Sequence, residues 1–130
     1  MALRLAGAWR GALLRAPSGG GKTGLALQLV ESGWRLVADD RVAAWASGGR
    51  AWGRAPAPLA GLAELRGQGM ASLPALPLAP IALVADLGEP AERQPSPGTA
   101  EVAGVRLPRH TLRPDASAPA RLRLLLGEAV

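Results

Sequence analysis

Seventeen glycines and twelve prolines are spread along 130 residues, so a chain-breaking residue falls every few positions along most of the sequence. In a helix interior glycine costs about 1 kcal/mol and proline about 3 kcal/mol relative to alanine. A helix bundle is therefore excluded, and short strands, tight turns and short helices remain. The core is constrained as well. Phe and Tyr are absent and four Trp carry the aromatic share, so Leu, Val and Ala must fill the interior. Such a core buries little area per residue and predicts modest stability. The length suits one domain over residues 1–130 and not two. A 48% apolar content with mean hydropathy of +0.14 excludes disorder throughout.

The net charge of +5 invites a nucleic-acid reading. Every basic residue except Lys22 is an arginine, and these are scattered singly from Arg4 to Arg123. The nearest cluster, Arg106, Arg109 and Arg113, lies among prolines without interleaved aromatics. The pattern reads as compositional bias toward Ala, Gly, Pro and Arg, and no nucleic-acid partner is expected. Cysteine is absent, which removes disulfides and thiolate metal sites. No apolar stretch reaches 18 residues without charge or proline, so no membrane span is expected. The first 17 residues contain Arg4, Arg10 and Arg15 and no acid, faintly like a targeting presequence. They run directly into a functional motif, however, and are read as structural, in a cytoplasmic protein.

Leu3–Leu5 and Ala12–Arg15 read as two strands joined at hairpin length. A helix is predicted from near Gly21, with Leu25, Ala26, Leu29 and Val30 on one face and Gly33 at its end. Trp34–Ala38 reads as a strand that stops at Asp39 and Asp40. Val42–Trp45 and Arg50–Trp52 flank a Ser-Gly-Gly turn and read as a hairpin. Ile81–Leu87 is the clearest strand of the second half. Residues 88–100 read as an exposed loop, Gly104–Leu107 as a strand, and Ser117–Leu126 as a helix capped by Ser117.

Between the second strand and the first helix lies Ala16-Pro17-Ser18-Gly19-Gly20-Gly21-Lys22-Thr23. It matches the phosphate-cradling pattern G-x-x-x-x-G-K-[ST] except that Ala16 stands at the first glycine position. Each residue type has a reason. Glycines let backbone N–H groups converge on phosphate oxygens. The helix N-terminus adds unpaired N–H groups and the positive end of its dipole. Lys22 reaches the β and γ phosphates, and Thr23 offers a hydroxyl to Mg²⁺. A bare glycine-rich turn explains these residues less well, because the only lysine of the chain sits at the position where the chemistry needs one.

If Trp34–Ala38 returns parallel to Ala12–Arg15 in a right-handed crossover, both strands end on one sheet edge. Asp39 and Asp40 then lie beside the loop, where open α/β sheets bind ligands. One carboxylate can hold Mg²⁺ and the other can accept a proton from an attacking hydroxyl. Glu64 and Arg66, in a glycine-flanked segment, read alone as surface charges, and His110 reads as a loop residue.

Assembled, these stretches resemble the catalytic domain of HPr kinase/phosphorylase, in its short single-domain form. The matching runs are Pro17–Thr23, Leu25–Leu29, Leu36–Val42, Gly61–Gly69, Ala82–Leu87 and Ala118–Arg123. The resemblance implies an α/β fold, a P-loop-containing mixed sheet with helices packed on it, like that of phosphoenolpyruvate carboxykinase. It implies an ATP- and Mg²⁺-dependent protein serine kinase acting on HPr, the phosphocarrier of the sugar phosphotransferase system, and a homo-oligomer. Pro17, Ser18, Gly19, Gly20, Gly21, Lys22 and Thr23 would bind nucleotide. Lys22, Asp39 and Asp40 would be catalytic, with Asp39 favoured as the base, and Thr23, Asp40 and Glu64 would serve the metal. The family's pattern has a histidine in the strand before the loop, whereas Met1–Arg4 offers none. That departure and Ala16 motivate an alternative, a non-catalytic nucleotide-binding regulatory module.

Overall fold

In the computed structural model, residues 1–17, 21–65, 67–89 and 98–129 are described. The chain opens on an antiparallel hairpin of β1 (Ala2–Leu5) and β2 (Ala8–Arg15). Helix α1 (Lys22–Glu31) follows and buries Leu25 and Leu29, as the apolar spacing predicts. A second hairpin, β3 (Ala43–Ser47) and β4 (Arg50–Arg54), turns at Gly48-Gly49. A single 3-10 turn at Ala57–Leu59 leads to β5 (Leu62–Leu65) and β6 (Gly69–Ser72), which pair with each other as a separate small sheet. Then come β7 (Ala79–Leu87), the hairpin β8 (Gly98–Val102) and β9 (Val105–Leu112), and helix α2 (Ala118–Glu128).

Seven of these strands form one mixed sheet, and β7 is its axis. It runs parallel to β2 on one side. On the other, β4 lies antiparallel along Ala79–Ile81 and β9 lies parallel along Val84–Leu87. Seven of its nine residues are buried, the pattern of a strand covered on both faces. Where β2 meets it the register slips, Gly11 facing Ile81 and Ala12 facing Leu83. A Cβ at position 11 would stand 2.8 Å from the Pro80 carbonyl oxygen, so the close backbone approach requires glycine.

The expected crossover through Trp34–Ala38 is not formed. Arg35 instead exchanges two backbone hydrogen bonds with Ala2, at 2.8 and 2.9 Å, on the outer edge of β1. The Leu36 amide donates to the Pro74 carbonyl oxygen at 2.8 Å, and the Leu76 amide donates to the Leu36 carbonyl oxygen at 2.9 Å. The place beside β2 goes to β7 because its longer apolar run can be buried on both faces, whereas residues 34–38 are fewer and carry Arg35. Trp34 still turns inward and is 1% exposed.

Three smaller expectations change. Residues 98–100, read as loop, begin β8, while 90–97 lie outside the described residues. The strand at Gly104–Leu107 extends to Leu112 and takes in His110, which pairs in register with Ala85. Pro108 is tolerated because β9 joins β7 only from Arg109 onward. Ser117 occupies the cap position of α2 but makes no side-chain cap; its hydroxyl donates to Asp115 Oδ1 at 2.7 Å.

Both helices pack on one face of the sheet. Leu25 and Leu29 of α1 meet Leu122 and Leu126 of α2 over Leu83, Ala85, Leu87 and Trp34. The opposite face carries a smaller cluster of Ala51, Ile81, Val84, Val102 and Leu107. Among the described residues, no helix is long and apolar enough to cross a membrane.

Candidate functional site

The carboxyl end of β2 delivers Arg15, Ala16 and Pro17 to the start of the loop. Ser18, Gly19 and Gly20 lie outside the described residues. The loop closes at Gly21, whose φ of 87° is left-handed and which forms the N-cap of α1. Glycine is needed there twice over, because a Cβ would also meet Pro114 at 3.0 Å. Among the described residues no side chain caps α1 and no acid sits in its first turn, so its leading N–H groups and the positive end of its dipole face the site. Ala16 is not among the residues of positive φ, so replacing glycine there costs no backbone strain.

The acidic side arrives by a different route from the one the sequence suggests, yet at the same place. Lys22 Nζ donates to Asp40 Oδ1 in an ion pair. The Asp40 carboxylate is 63% exposed and its backbone takes a φ of 38°, a left-handed conformation uncommon outside glycine. Asp39 turns the other way: its Oδ2 accepts the Glu64 amide at 2.9 Å, tying the β5–β6 ribbon to the site. Successive carboxylates thus have separate partners, one a cation and one an amide. Glu64 joins the constellation through its main chain, and its side chain is exposed. Thr23 occupies the second position of α1. Arg66 lies outside the described residues, and His110 sits on β9, where it pairs with Ala85.

A cavity of about 440 Å³ opens between the two sides. Its walls combine the apolar Leu14, Val37, Val42 and Ile81 with Lys22, Asp39 and Asp40. An apolar recess with a few convergent charges is the usual form of a small-ligand site. Among the described residues, no three His, Asp or Glu side chains gather to hold a metal. The oxygen donors present, a threonine hydroxyl and an exposed carboxylate, suit a hard cation that keeps waters and shares a phosphate, as Mg²⁺ does.

One cluster escaped sequence reasoning. Asp86, near the end of β7, accepts from Arg15 Nε at 2.6 Å, Arg15 Nη2 at 3.0 Å and Arg109 Nη1 at 3.2 Å. These hydrogen bonds, Arg15's first, hold its carboxyl below the ordinary value of 3.8, against a desolvation that pushes up. The same bond raises the Arg15 guanidinium. Gly98 makes room for the clamp, since a Cβ there would lie 2.8 Å from Arg109 Nη2. The signal was available: an acid inside the apolar run Ile81–Leu87 demands a cationic partner. Arg113 pairs with Glu89 at 2.8 Å, so the apparent cluster of Arg106, Arg109 and Arg113 is partly consumed by internal ion pairs.

A strand and a helix joined by a glycine-rich loop, on a mixed sheet with helices on one face, define a P-loop-type α/β domain. The family model described as HPr Serine kinase C-terminal domain matches residues 7–76, and the chain belongs to that family. The chain is 48% identical over 61 residues to the HPr kinase/phosphorylase of Streptococcus thermophilus, covering 46% of this chain and 20% of that protein. To the HPr kinase/phosphorylase of Clostridium novyi it is 42% identical over 66 residues, covering 51% and 22%. The chain thus matches about a fifth of the length of these curated relatives. The Hpr(Ser) kinase/phosphatase structure from Coxiella burnetii superposes with a TM-score of 0.80 at 19% identity, covering 98% of this chain and 91% of that one. The likeness of fold therefore extends well beyond the residues the family model matches.

Proposed function

We propose that residues 1–130 form one catalytic domain that transfers the γ-phosphoryl group of ATP to a serine of HPr, in the cytoplasm. The observation that carries the reading is the ion pair of Lys22, at the start of α1, with Asp40, in a cavity that Asp39 also lines. The family relationship supports the acceptor. Nucleotide binding is assigned to Pro17, Ser18, Gly19, Gly20, Gly21, Lys22 and Thr23. Mg²⁺ is assigned to Thr23, Asp40 and Glu64, and the bound ion would neutralise phosphate charge.

The protein's own part is positioning and electrostatics. Lys22 exchanges Asp40 for the terminal phosphates, and the leading amides of α1 stabilise charge that builds on the leaving oxygen. Asp39, held in orientation by the Glu64 amide, accepts the proton of the serine hydroxyl as its oxygen attacks the γ-phosphorus. The bond from that phosphorus to the bridging oxygen breaks, and ADP departs. A homo-oligomer is part of the reading; nucleic acid and membrane are not.

Lys22→Ala is expected to abolish ATP-dependent labelling of HPr by the purified protein, and labelling that survives the change refutes the mechanism. Calorimetric ATP binding without any transfer would instead establish the nucleotide-binding module.

A further inference from the structure

Strand β3 ends the main sheet and, among the described residues, has β4 as its single neighbour in it. Its sequence, Ala-Ala-Trp-Ala-Ser, is exposed at four of five positions and carries no charge or proline to blunt a free edge. Natural sheets ordinarily protect such edges, because a row of unpaired amides and carbonyls recruits another strand. The ribbon it forms with β4 is also cationic. From Arg41 to Ala63 the sequence contains no acid, while Arg41, Arg50 and Arg54 fall within it. Trp45 stands opposite Trp52, Arg50 lies 5.5 Å from the Trp52 ring centre, and Arg54 lies 5.8 Å from that of Trp45. The tryptophans thus hold the guanidinium groups over one face of the ribbon. Val42, immediately before β3, and Gly53 on β4 line the same cavity as Lys22 and Asp39.

We propose that this ribbon is a docking surface for an acidic, extended segment of the acceptor protein. The segment adds to β3 as a further strand and sets its acidic side chains against Arg50 and Arg54. Main-chain pairing supplies affinity and the arginines supply choice of partner. The edge begins at the cavity wall, so a docked chain is carried toward Asp39; this last step rests on the kinase reading above. Single-stranded nucleic acid fits less well. The ring faces it would stack on are already covered by arginine, and it brings no amide ladder for the edge.

The test uses a labelled ten-residue peptide alternating Glu and Val, its Lys-for-Glu counterpart, and fluorescence anisotropy with the whole chain and no nucleotide. The acidic peptide is expected to bind at least tenfold more tightly than the basic one. Arg50→Glu with Arg54→Glu should reverse the preference. Should that pair fail to fold by circular dichroism, Arg50→Gln with Arg54→Gln should abolish it. Methylating alternate peptide amides should abolish binding in one of the two possible registers and spare the other. Indifference to peptide charge, retention in both methylated registers, tighter binding of oligothymidine, or self-association through β3 in sedimentation would each overturn the proposal. Because nucleotide is absent, a failure here is distinct from a failure of ATP binding at Lys22.

Discussion

The two sides of the site are built on different principles. The phosphate side is one continuous piece of chain: β2, the loop and α1 follow each other, and the leucines that seat α1 are four residues apart. The acidic side, residues 34–40, has no element of its own. It is held by the outer edge of β1, by the strap at Pro74–Leu76, and by one amide of β5. The first is specified locally, and the second is placed only when distant segments are already in position. Substitutions should therefore separate into those that remove chemistry and those that let the acidic side drift away from an intact loop.

The largest effect expected is chemical. Asp39→Asn keeps the size of the side chain and an oxygen for the Glu64 amide, but cannot take a proton. A general base contributes about 10²–10⁴ in rate. The maximal rate of HPr labelling should fall by that factor, with ATP affinity in calorimetry changed less than threefold. An equal loss of ATP affinity would move Asp39 from proton transfer to nucleotide binding.

Next comes the anchor of the acidic side. Trp34 is 1% exposed and is packed in the cluster with Leu25, Leu29 and the α2 leucines. Trp34→Ala should cost roughly 3–5 kcal/mol of unfolding free energy, the usual range for removing a buried aromatic. Urea denaturation measures it. A cost under about 1 kcal/mol would mean that residues 34–40 are held by their backbone hydrogen bonds rather than by this side chain.

The same contrast explains what the sequence could reveal. The turn at Gly21 into α1, α1 itself, both early hairpins and β7 are legible because their signals are local: a glycine before a helix, a helical period, a Gly-Gly turn, an apolar run. The sequence pattern brings Asp39 and Asp40 beside Lys22 through a crossover that does not exist; Asp40 reaches Lys22 and Asp39 the Glu64 amide by another route. Which strand sits beside β2 is a competition between segments some fifty residues apart in sequence, and periodicity assigns no winner. The role of Asp86 is hidden for the same reason, since its two cations lie on β2 and β9. The sequence pattern ends β9 before Pro108 because it does not show where the strand's partner begins.

The smallest effect expected lies in that clamp, which joins the carboxyl ends of β2 and β7 to the middle of β9. The folded-state pKa of Asp86 is depressed, so its contribution to stability is present above the ordinary value of 3.8 and is lost as pH falls through the lower folded value. The Arg15 and Asp86 side chains are 47% and 30% exposed, so solvent screens the pair and about 1 kcal/mol or less is at stake. Asp86→Asn should lower stability by that amount at pH 7 and flatten the acid limb of the stability curve below pH 4, as read from thermal unfolding across pH. The loss at neutral pH should shrink in high salt if the clamp acts through charge. A salt-independent loss would assign the effect to the hydrogen-bond geometry at the strand ends.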